Sequence, residues 1–206
     1  MGKALKAILI GGIFLSYPFL SGYLADIGWS GLQLCLFAGL ILWRGRTFEK
    51  PVWRYLSVLL ALILFSGAYF AQAYLLWLIP AFVYLWLTAL FGHTLWSPPS
   101  LCERLVRLQF PEFKPGIAEY LREVTWVWTV FFAINVPVCA LLPLLAGQKI
   151  WALYTGFWVY LLMGLLGIGE WFYRQRRFPD LEIPPALETF KIMIKQGHKV
   201  FKGTES

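Results

Sequence analysis

The chain has 206 residues, of which 59% are hydrophobic and only 14% are charged. Because soluble domains carry about 25% charged residues, this composition excludes an ordinary water-soluble globular protein. The formal net charge of +7 would suggest nucleic-acid binding in a soluble chain, but here the charges fall in short loops and tails. Charges in those positions orient a protein in the bilayer and contact anionic lipid, so we expect no nucleic-acid partner.

The apolar stretches predict an all-α fold, a polytopic transmembrane helical bundle of about six helices. Several of them approach or exceed the roughly 20 residues that cross a bilayer core. Backbone groups in lipid must hydrogen-bond within their own segment, which favours helices, and the alternating pattern of a barrel strand is absent. We expect the bundle at residues 1–178 and a basic cytoplasmic tail at 179–206. The predicted spans lie at 4–25, 31–43, 53–71, 74–96, 124–146 and 150–173, with a cytoplasmic loop at 97–123.

The two N-terminal segments leave a second architecture open. The segment at 31–43 is short for a full span, and Tyr17-Pro18 interrupts the segment before it. The two segments could instead dip into the membrane and return as a re-entrant hairpin beside four full spans. We favour two spans over the hairpin.

The basic residues predict the orientation of the chain. Lys and Arg collect in the short cytoplasmic loops of membrane proteins. With six spans and the N-terminus inside, 17 of the 18 Lys and Arg residues fall on the cytoplasmic side, and only Lys149 falls outside. We therefore predict a multi-pass protein with both termini in the cytoplasm.

Two polar segments of the cytoplasmic side have amphipathic patterns. Ser100 and Glu103 form a capping-box pattern at the start of a predicted helix at 100–110, which could lie along the membrane interface. In the tail, apolar and basic residues share a helical spacing, which favours docking on anionic lipid or on a partner over a solvated terminus. The basic stripe of the tail consists of Lys191, Lys195, Lys199 and Lys202.

Helix packing is indicated by small and polar residues inside the predicted spans. Asn135 lies in the middle of the fifth span, where an amide usually bonds to a neighbouring helix. The sixth span carries four glycines, and small residues let transmembrane helices approach closely. These glycines are Gly156, Gly164, Gly167 and Gly169.

The chain carries no known catalytic motif, phosphate loop or metal-binding cluster, so we expect no cofactor and no metal. His93, near the cytoplasmic end of the fourth span, is a weak candidate for acid–base catalysis. We favour the alternative that this side chain is an interfacial histidine bonded to backbone or lipid. No catalytic residue is established by the sequence, and we lean towards a protein that is not an enzyme.

Glu170 is the second catalytic candidate and the centre of a predicted polar cluster. Ionisable residues within membrane segments are rare and mark functional sites. Glu170 precedes Arg174 by four residues, in the order that favours an ion pair along a helix. Polar residues at the start of the fifth span should lie at the same membrane face. The predicted cluster, which either binds a ligand or joins two helix ends, comprises Glu170, Arg174, Tyr120, Arg122 and Glu123.

Two stretches, YLREVTWVWTVFFAIN and WALYTGFWVYLLMGLLGIGEWFYR, carry a recognisable pattern. Over roughly Leu101–Pro179 the chain resembles an uncharacterised family of bacterial inner-membrane proteins. That family is often encoded beside acyl carrier proteins, ketosynthases and acyltransferases of aryl-polyene pigment pathways. The resemblance implies an inner-membrane location and an accessory role with polyene acyl chains, but it supplies no reaction. The matching residues are Tyr120, Arg122, Thr125, Trp128, Phe131, Phe132, Asn135, Trp151, Leu153, Tyr154, Leu162, Met163, Gly164, Glu170, Trp171 and Arg174.

Three functions are compatible with these observations. The leading hypothesis is an accessory protein that recruits or scaffolds acyl-carrier-linked polyene or fatty-acid machinery, because acyl carrier proteins are usually acidic and this face is basic. The second is a membrane-embedded acyltransferase-like enzyme that uses His93, Glu170 or Arg122. The third is a small lipid or polyene transporter. A homo- or hetero-oligomer is compatible with each of them.

Overall fold

The computed structural model describes residues 3–49, 51–70, 72–107 and 115–179, with the side chains of 3–11, 13–15, 72 and 73 left aside. All regular structure in these ranges is helical, which confirms the all-α prediction. The helices are α1 Lys3–Asp26, α2 Ser30–Gly45, α3 Pro51–Phe70, α4 Gln72–Trp77, α5 Ile79–Trp96, α6 Leu101–Arg107, α7 Ile117–Leu145, α8 Gln148–Leu153 and α9 Val159–Arg177, with a π-helical turn at Tyr154–Trp158.

Four helical stretches are long and apolar enough to cross a membrane. Only 17% to 28% of each most apolar window is buried inside the protein. The remaining apolar surface faces outward, which is unfavourable in water and suits a lipid environment. The chain is therefore a helical membrane protein. The four stretches are Pro51–Phe70, Tyr74–Trp96, Ile117–Leu145 and Gln148–Arg177.

The two N-terminal segments each form a single helix. α1 continues through Pro18, and a short turn with Gly28 at φ +78° leads into α2. At 16 residues α2 is about 24 Å long, less than the roughly 30 Å hydrocarbon core. α2 packs against α3, with Leu34 and Ala61 in the shared core. Whether α1 and α2 both cross the membrane stays a prediction.

The predicted fourth span is interrupted near its start, because α4 ends at Trp77 and α5 begins at Ile79. Pro80 has no backbone N–H, so it cannot bond to the carbonyl four residues earlier, that of Leu76. The hydroxyl of Tyr17 in α1 donates to this carbonyl oxygen at 2.7 Å. A proline-induced gap in one helix is thus filled by a side chain from another.

The polar loop expected at 97–123 is largely helical in its described parts, residues 97–107 and 115–123. α7 begins at Ile117, seven residues before the predicted start of the fifth span, and is 29 residues long. A helix of that length extends about 44 Å, which exceeds the hydrocarbon core by two or three turns. Polar residues that we assigned to a loop therefore belong to the first turns of α7, while the predicted bounds of the span itself stay a prediction.

α6 is a short helix docked on α7. The backbone N–H of Ser100 donates to Oε2 of Glu103 at 3.3 Å, which is one half of the predicted capping box. The other half is missing, because the Ser100 hydroxyl is buried without a partner in the described chain. Instead, Thr94 and Thr125 accept the N–H groups of the next two residues, at 2.9 and 3.3 Å. α6 is thus anchored by α5 and α7.

The glycines of the last helical stretch behave in two ways. A Cβ on Gly156 would collide with the ring of Phe19, so this glycine allows α1 to approach the π-helical turn. At Gly164, Gly167 and Gly169 a Cβ would meet nothing within 4 Å in the described chain. The prediction of close packing is confirmed at Gly156 and wrong for the other three, which lie beside open space.

The chain divides into two compact units. One contains the residues up to Phe82 together with Pro137–Met163, and the other contains Val83–Val136 and the chain from Gly164 onward. α5, α7 and α9 each contribute residues to both units. The polar residues around Glu170 all belong to the second unit.

Candidate functional site

Glu170 lies where the first turns of α7 meet the last turns of α9. Tyr120 is only 2% exposed and donates its hydroxyl to Oε1 of Glu170 at 2.8 Å. Nε of Arg174 lies 3.3 Å from the same oxygen, but its N–H is not directed at it. The contact between Glu170 and Arg174 is therefore an ion pair without an aligned hydrogen bond. The structure brings together three residues of the predicted cluster.

A second ion pair joins the same two helices. Nη1 of Arg177 lies 2.6 Å from Oε2 of Glu123. The guanidinium of Arg177 also lies over the ring of Tyr120, 5.4 Å from its centroid, at a distance that suits a cation–π contact. Phe178 packs edge-on against the same ring at 5.5 Å. Tyr120 is thus enclosed by α9, and its hydroxyl is directed at Glu170.

Arg122 is not a member of the Glu170 cluster. Its Nη2 donates to the carbonyl of Leu95 at 3.1 Å, in the last turn of α5. Carbonyl groups in a last helical turn lack intrahelical partners, so Arg122 caps the end of α5. In the described chain no hydrogen bond or ion pair joins Arg122 to Glu170, so these contacts do not connect Arg122 to the other residues of the predicted cluster.

A cleft of about 330 Å³ lies between α7 and α9. Its residues recur at helical spacing on each helix, so it is a groove between two helix faces. Along α9 it extends from Leu165 to Tyr173, a rise of about 12 Å. Ligand pockets typically have volumes of about 300–1,000 Å³, so this one is of sufficient size for a slender molecule. The lining residues are Tyr120, Glu123, Val124, Val127 and Trp128 on α7 and Leu165, Leu166, Gly169, Glu170 and Tyr173 on α9.

The two ends of the cleft differ in chemistry. One end is formed by aliphatic residues and Trp128, and the other by two carboxylates and two phenols. The arginines that neutralise the carboxylates are not among the lining residues. An elongated molecule with an apolar body and a polar head matches this distribution.

Cys102 lies beside the polar end of the cleft. Burial raises the pKa of its thiol, a hydrogen bond with Thr125 opposes this rise, and the charge of Glu170 adds to it. A thiol with a raised pKa stays protonated at neutral pH and is a poor nucleophile. Cys102 therefore acts as a small packing residue.

The remaining predicted site residues lie apart from the cleft. His93 is exposed in the last turn of α5, and in the described chain no contact joins it to Glu170. Asn135 is buried, and its Nδ2 donates to the carbonyl of Phe131 in the same helix at 2.8 Å. The described residues contain no group of His, Cys, Asp and Glu that could hold a metal ion. Outside the described residues lies the basic stripe of Lys191, Lys195, Lys199 and Lys202.

The sequence revealed only part of this site. The pairing of Glu170 with Arg174 follows from their spacing along one helix. The pairing of Glu123 with Arg177 joins residues 54 positions apart and has no signal in the sequence. The same holds for Tyr173, whose phenol completes the polar end of the cleft. The sequence indicates polar residues on α7 and on α9, but it does not indicate which faces of the two helices contact each other.

No protein-family model matches the chain, and neither does any curated protein or solved structure. The resemblance to membrane proteins of aryl-polyene pathways therefore stays a prediction that depends on the quoted residues alone.

Proposed function

We propose that this membrane protein binds a chain-like amphiphile in the cleft between α7 and α9, as an accessory to acyl-carrier-linked polyene or fatty-acid biosynthesis. The proposal is carried by one observation, an apolar groove that ends in a fixed polar cluster. The polyene context comes from the sequence resemblance, and the binding role comes from the groove.

The apolar part of the groove alone would not define a site, because lipid tails can fill any apolar surface in a membrane. Selectivity requires polar groups held in fixed positions. The carboxylate of Glu170 is held by the buried Tyr120 and by Arg174. A head group that enters the groove meets a polar surface that is already ordered, so little conformational entropy is lost on binding.

The charges outside the cleft suit a soluble, acidic partner. Arg107, Arg122, Arg176 and Arg177 are exposed in the same unit as the cleft. Acidic acyl carrier proteins would be steered towards such a face, mainly through faster association. In this proposal the carrier delivers or collects a chain at the membrane surface, and the cleft holds that chain.

The two alternative functions have weaker support. An acyltransferase-like enzyme would need a base beside its reacting group, and His93 is exposed and has no described contact with Glu170. A transporter would need a polar path through the membrane, for which Asn135 is the main candidate in the sequence. We therefore place both behind the accessory role.

Filling the cleft tests the binding role. Gly169 lines the cleft, and an added Cβ would meet nothing within 4 Å in the described chain, so the backbone leaves room for a leucine whose branched end we expect to occupy the groove. The probe for binding is a fluorescent tetraene alcohol, which is titrated into purified protein in detergent. We expect Gly169→Leu to weaken saturable binding at least roughly tenfold, the size of effect expected when a well-fitted group is excluded from its pocket.

Gly164→Leu is the matched control. Gly164 lies on the same helix, is also exposed and also has open space around it, but it does not line the cleft. Both substitutions raise helix propensity by a similar amount, so a general effect on folding should affect both variants equally. Binding by Gly169→Leu that equals binding by Gly164→Leu would exclude the cleft as the site.

A further inference from the structure

We propose that the polar end of the cleft selects a chain whose head donates hydrogen bonds, a protonated amine or a hydroxyl, over a chain with an ionised carboxylate or phosphate. This inference rests on the proposed binding role of the cleft. It names the class of head group, which neither the sequence nor the resemblance supplies.

The first support is the set of acceptors that line the cleft. Tyr120 donates a hydrogen bond to Oε1 of Glu170 and Nε of Arg174 lies closest to the same oxygen, whereas no described hydrogen bond reaches Oε2. In Glu123 the described hydrogen bond from Arg177 reaches Oε2, and no described hydrogen bond reaches Oε1. An ionised carboxylate is an acceptor only, with about four lone-pair sites on its two oxygens. The cleft thus presents acceptor capacity that the protein itself does not use.

The second support is the position of the cations. Arg174 and Arg177 are paired with the two carboxylates, and neither is among the residues that line the cleft. Arg177 is also held against the ring of Tyr120. An anionic head would reach a guanidinium only after it displaced a carboxylate from its pair. Within the cleft it would meet the acceptor oxygens of the two carboxylates first.

The third support is the degree of burial. The side chain of Glu170 is 21% exposed, and the groove beside it is apolar. A charge in such a place interacts more strongly than it would in water, because the local dielectric is lower. Repulsion of an anionic head and attraction of an ammonium are both strengthened. A hydroxyl carries no charge, but it donates one bond to the carboxylate.

The experiment is a competition among three amphiphiles with the same saturated chain, a primary alkylamine, an alkanol and an alkanoate. Each displaces the tetraene alcohol from the protein in detergent at neutral pH. We expect the amine and the alkanol to displace the probe at concentrations roughly tenfold or more below that of the alkanoate, the scale of one charge-assisted hydrogen bond.

Glu170→Gln tests whether the carboxylate causes the preference. An amide is neutral and carries two donors, so the variant should lose affinity for the amine and gain affinity for the alkanoate. The ratio between variant and wild type cancels the partitioning of each amphiphile into the micelle. Glu119→Gln is the matched control, because Glu119 is exposed in the first turn of α7 and does not line the cleft. It should leave all three affinities unchanged.

The possible outcomes separate the two proposals. Displacement by the alkanoate equal to displacement by the amine would overturn the head-group preference, while loss of binding in Gly169→Leu would still support the cleft. If none of the three amphiphiles displaces the probe, and Gly169→Leu binds the probe as tightly as the wild type does, the binding role itself would be overturned. If Glu170→Gln does not fold, Glu123→Gln alters the second carboxylate, which is more exposed, and the same shift in preference is expected.

Discussion

Glu170 is a carboxylate about two helical turns before the end of α9, and its surroundings explain how it is tolerated. Tyr120 donates a hydrogen bond to it, and Arg174 supplies an opposite charge on the same helix. The hydrogen bond and the opposite charge both compensate for the desolvation of a carboxylate that would otherwise be costly in an apolar segment. The same contacts fix the orientation of the Glu170 carboxylate towards the cleft. Glu170 therefore contributes both to the stability of the protein and to the proposed binding site.

The stability of the protein should respond moderately to Glu170→Gln. The amide oxygen still accepts the Tyr120 hydroxyl, whereas the ion pair with Arg174 is lost. For partly exposed groups of this kind we expect a loss of about 0.5–1.5 kcal/mol in unfolding free energy. The midpoint of thermal unfolding in detergent measures it, with Glu119→Gln as the control of equal charge change.

Tyr120→Phe should be more damaging than Glu170→Gln in the same assay. It leaves a carboxylate without its hydrogen-bond donor, at a cost of about 1–3 kcal/mol. A Glu170→Gln variant that unfolds like the wild type, yet no longer binds the probe, would contradict the stabilising role and make Glu170 purely a binding residue.

Among the helices, the break between α4 and α5 shows how one element supplies what another lacks. Pro80 leaves the Leu76 carbonyl without an intrahelical donor, and the Tyr17 hydroxyl fills that position from α1. Prolines are tolerated in membrane helices where neighbouring groups satisfy the freed carbonyl in this way. The contact therefore fixes the position of α1 against the end of α4.

We expect Tyr17→Phe to destabilise the protein by about 0.5–2 kcal/mol, the range for hydrogen bonds between membrane helices. Pro80→Ala restores an N–H that can bond to Leu76 within the helix. In that background Tyr17→Phe should have a smaller effect, and a double-mutant cycle on thermal unfolding measures the difference. Equal effects in both backgrounds would mean that the proline does not create the need for Tyr17.

The predicted spans agree best with the helices where a long apolar stretch marks the whole helix, and least well where a helix begins in polar sequence. α3 begins and ends within two residues of the predicted third span. The start of α7 was missed because Glu119, Arg122 and Glu123 made that stretch resemble a loop. A helix that extends beyond the bilayer keeps its hydrogen bonds in water, so a change in composition does not mark its end.

For the whole molecule, the distribution of charge makes a prediction about partners. The basic stripe of the tail lies outside the described residues, but its sequence favours a surface that attracts anions. We expect replacement of its four lysines by glutamine to lower the capture of an acidic acyl carrier protein by reconstituted membranes. Higher salt should lower capture too, because the Debye length falls from about 10 Å at 0.1 M to about 3 Å at 1 M.

Replacement of the same four lysines by arginine is the control, since it keeps the charge. Capture that is unchanged in the glutamine variant would mean that the stripe is not the docking surface. A loss in both variants would point to a specific role of lysine instead of charge. Carrier protein bound per membrane protein is the quantity measured.

The sequence by itself determined that this is an all-α membrane protein, because apolar stretches of sufficient length leave the backbone no alternative to helices in lipid. It also indicated that Glu170 pairs with Arg174, since that contact depends only on helical spacing. Only the tertiary structure decided that Tyr120 bonds to Glu170, that Glu123 pairs with Arg177, and that the faces of α7 and α9 leave a cleft beside Gly169. These contacts join residues far apart in the chain, and they depend on which helix faces meet, which no local pattern specifies.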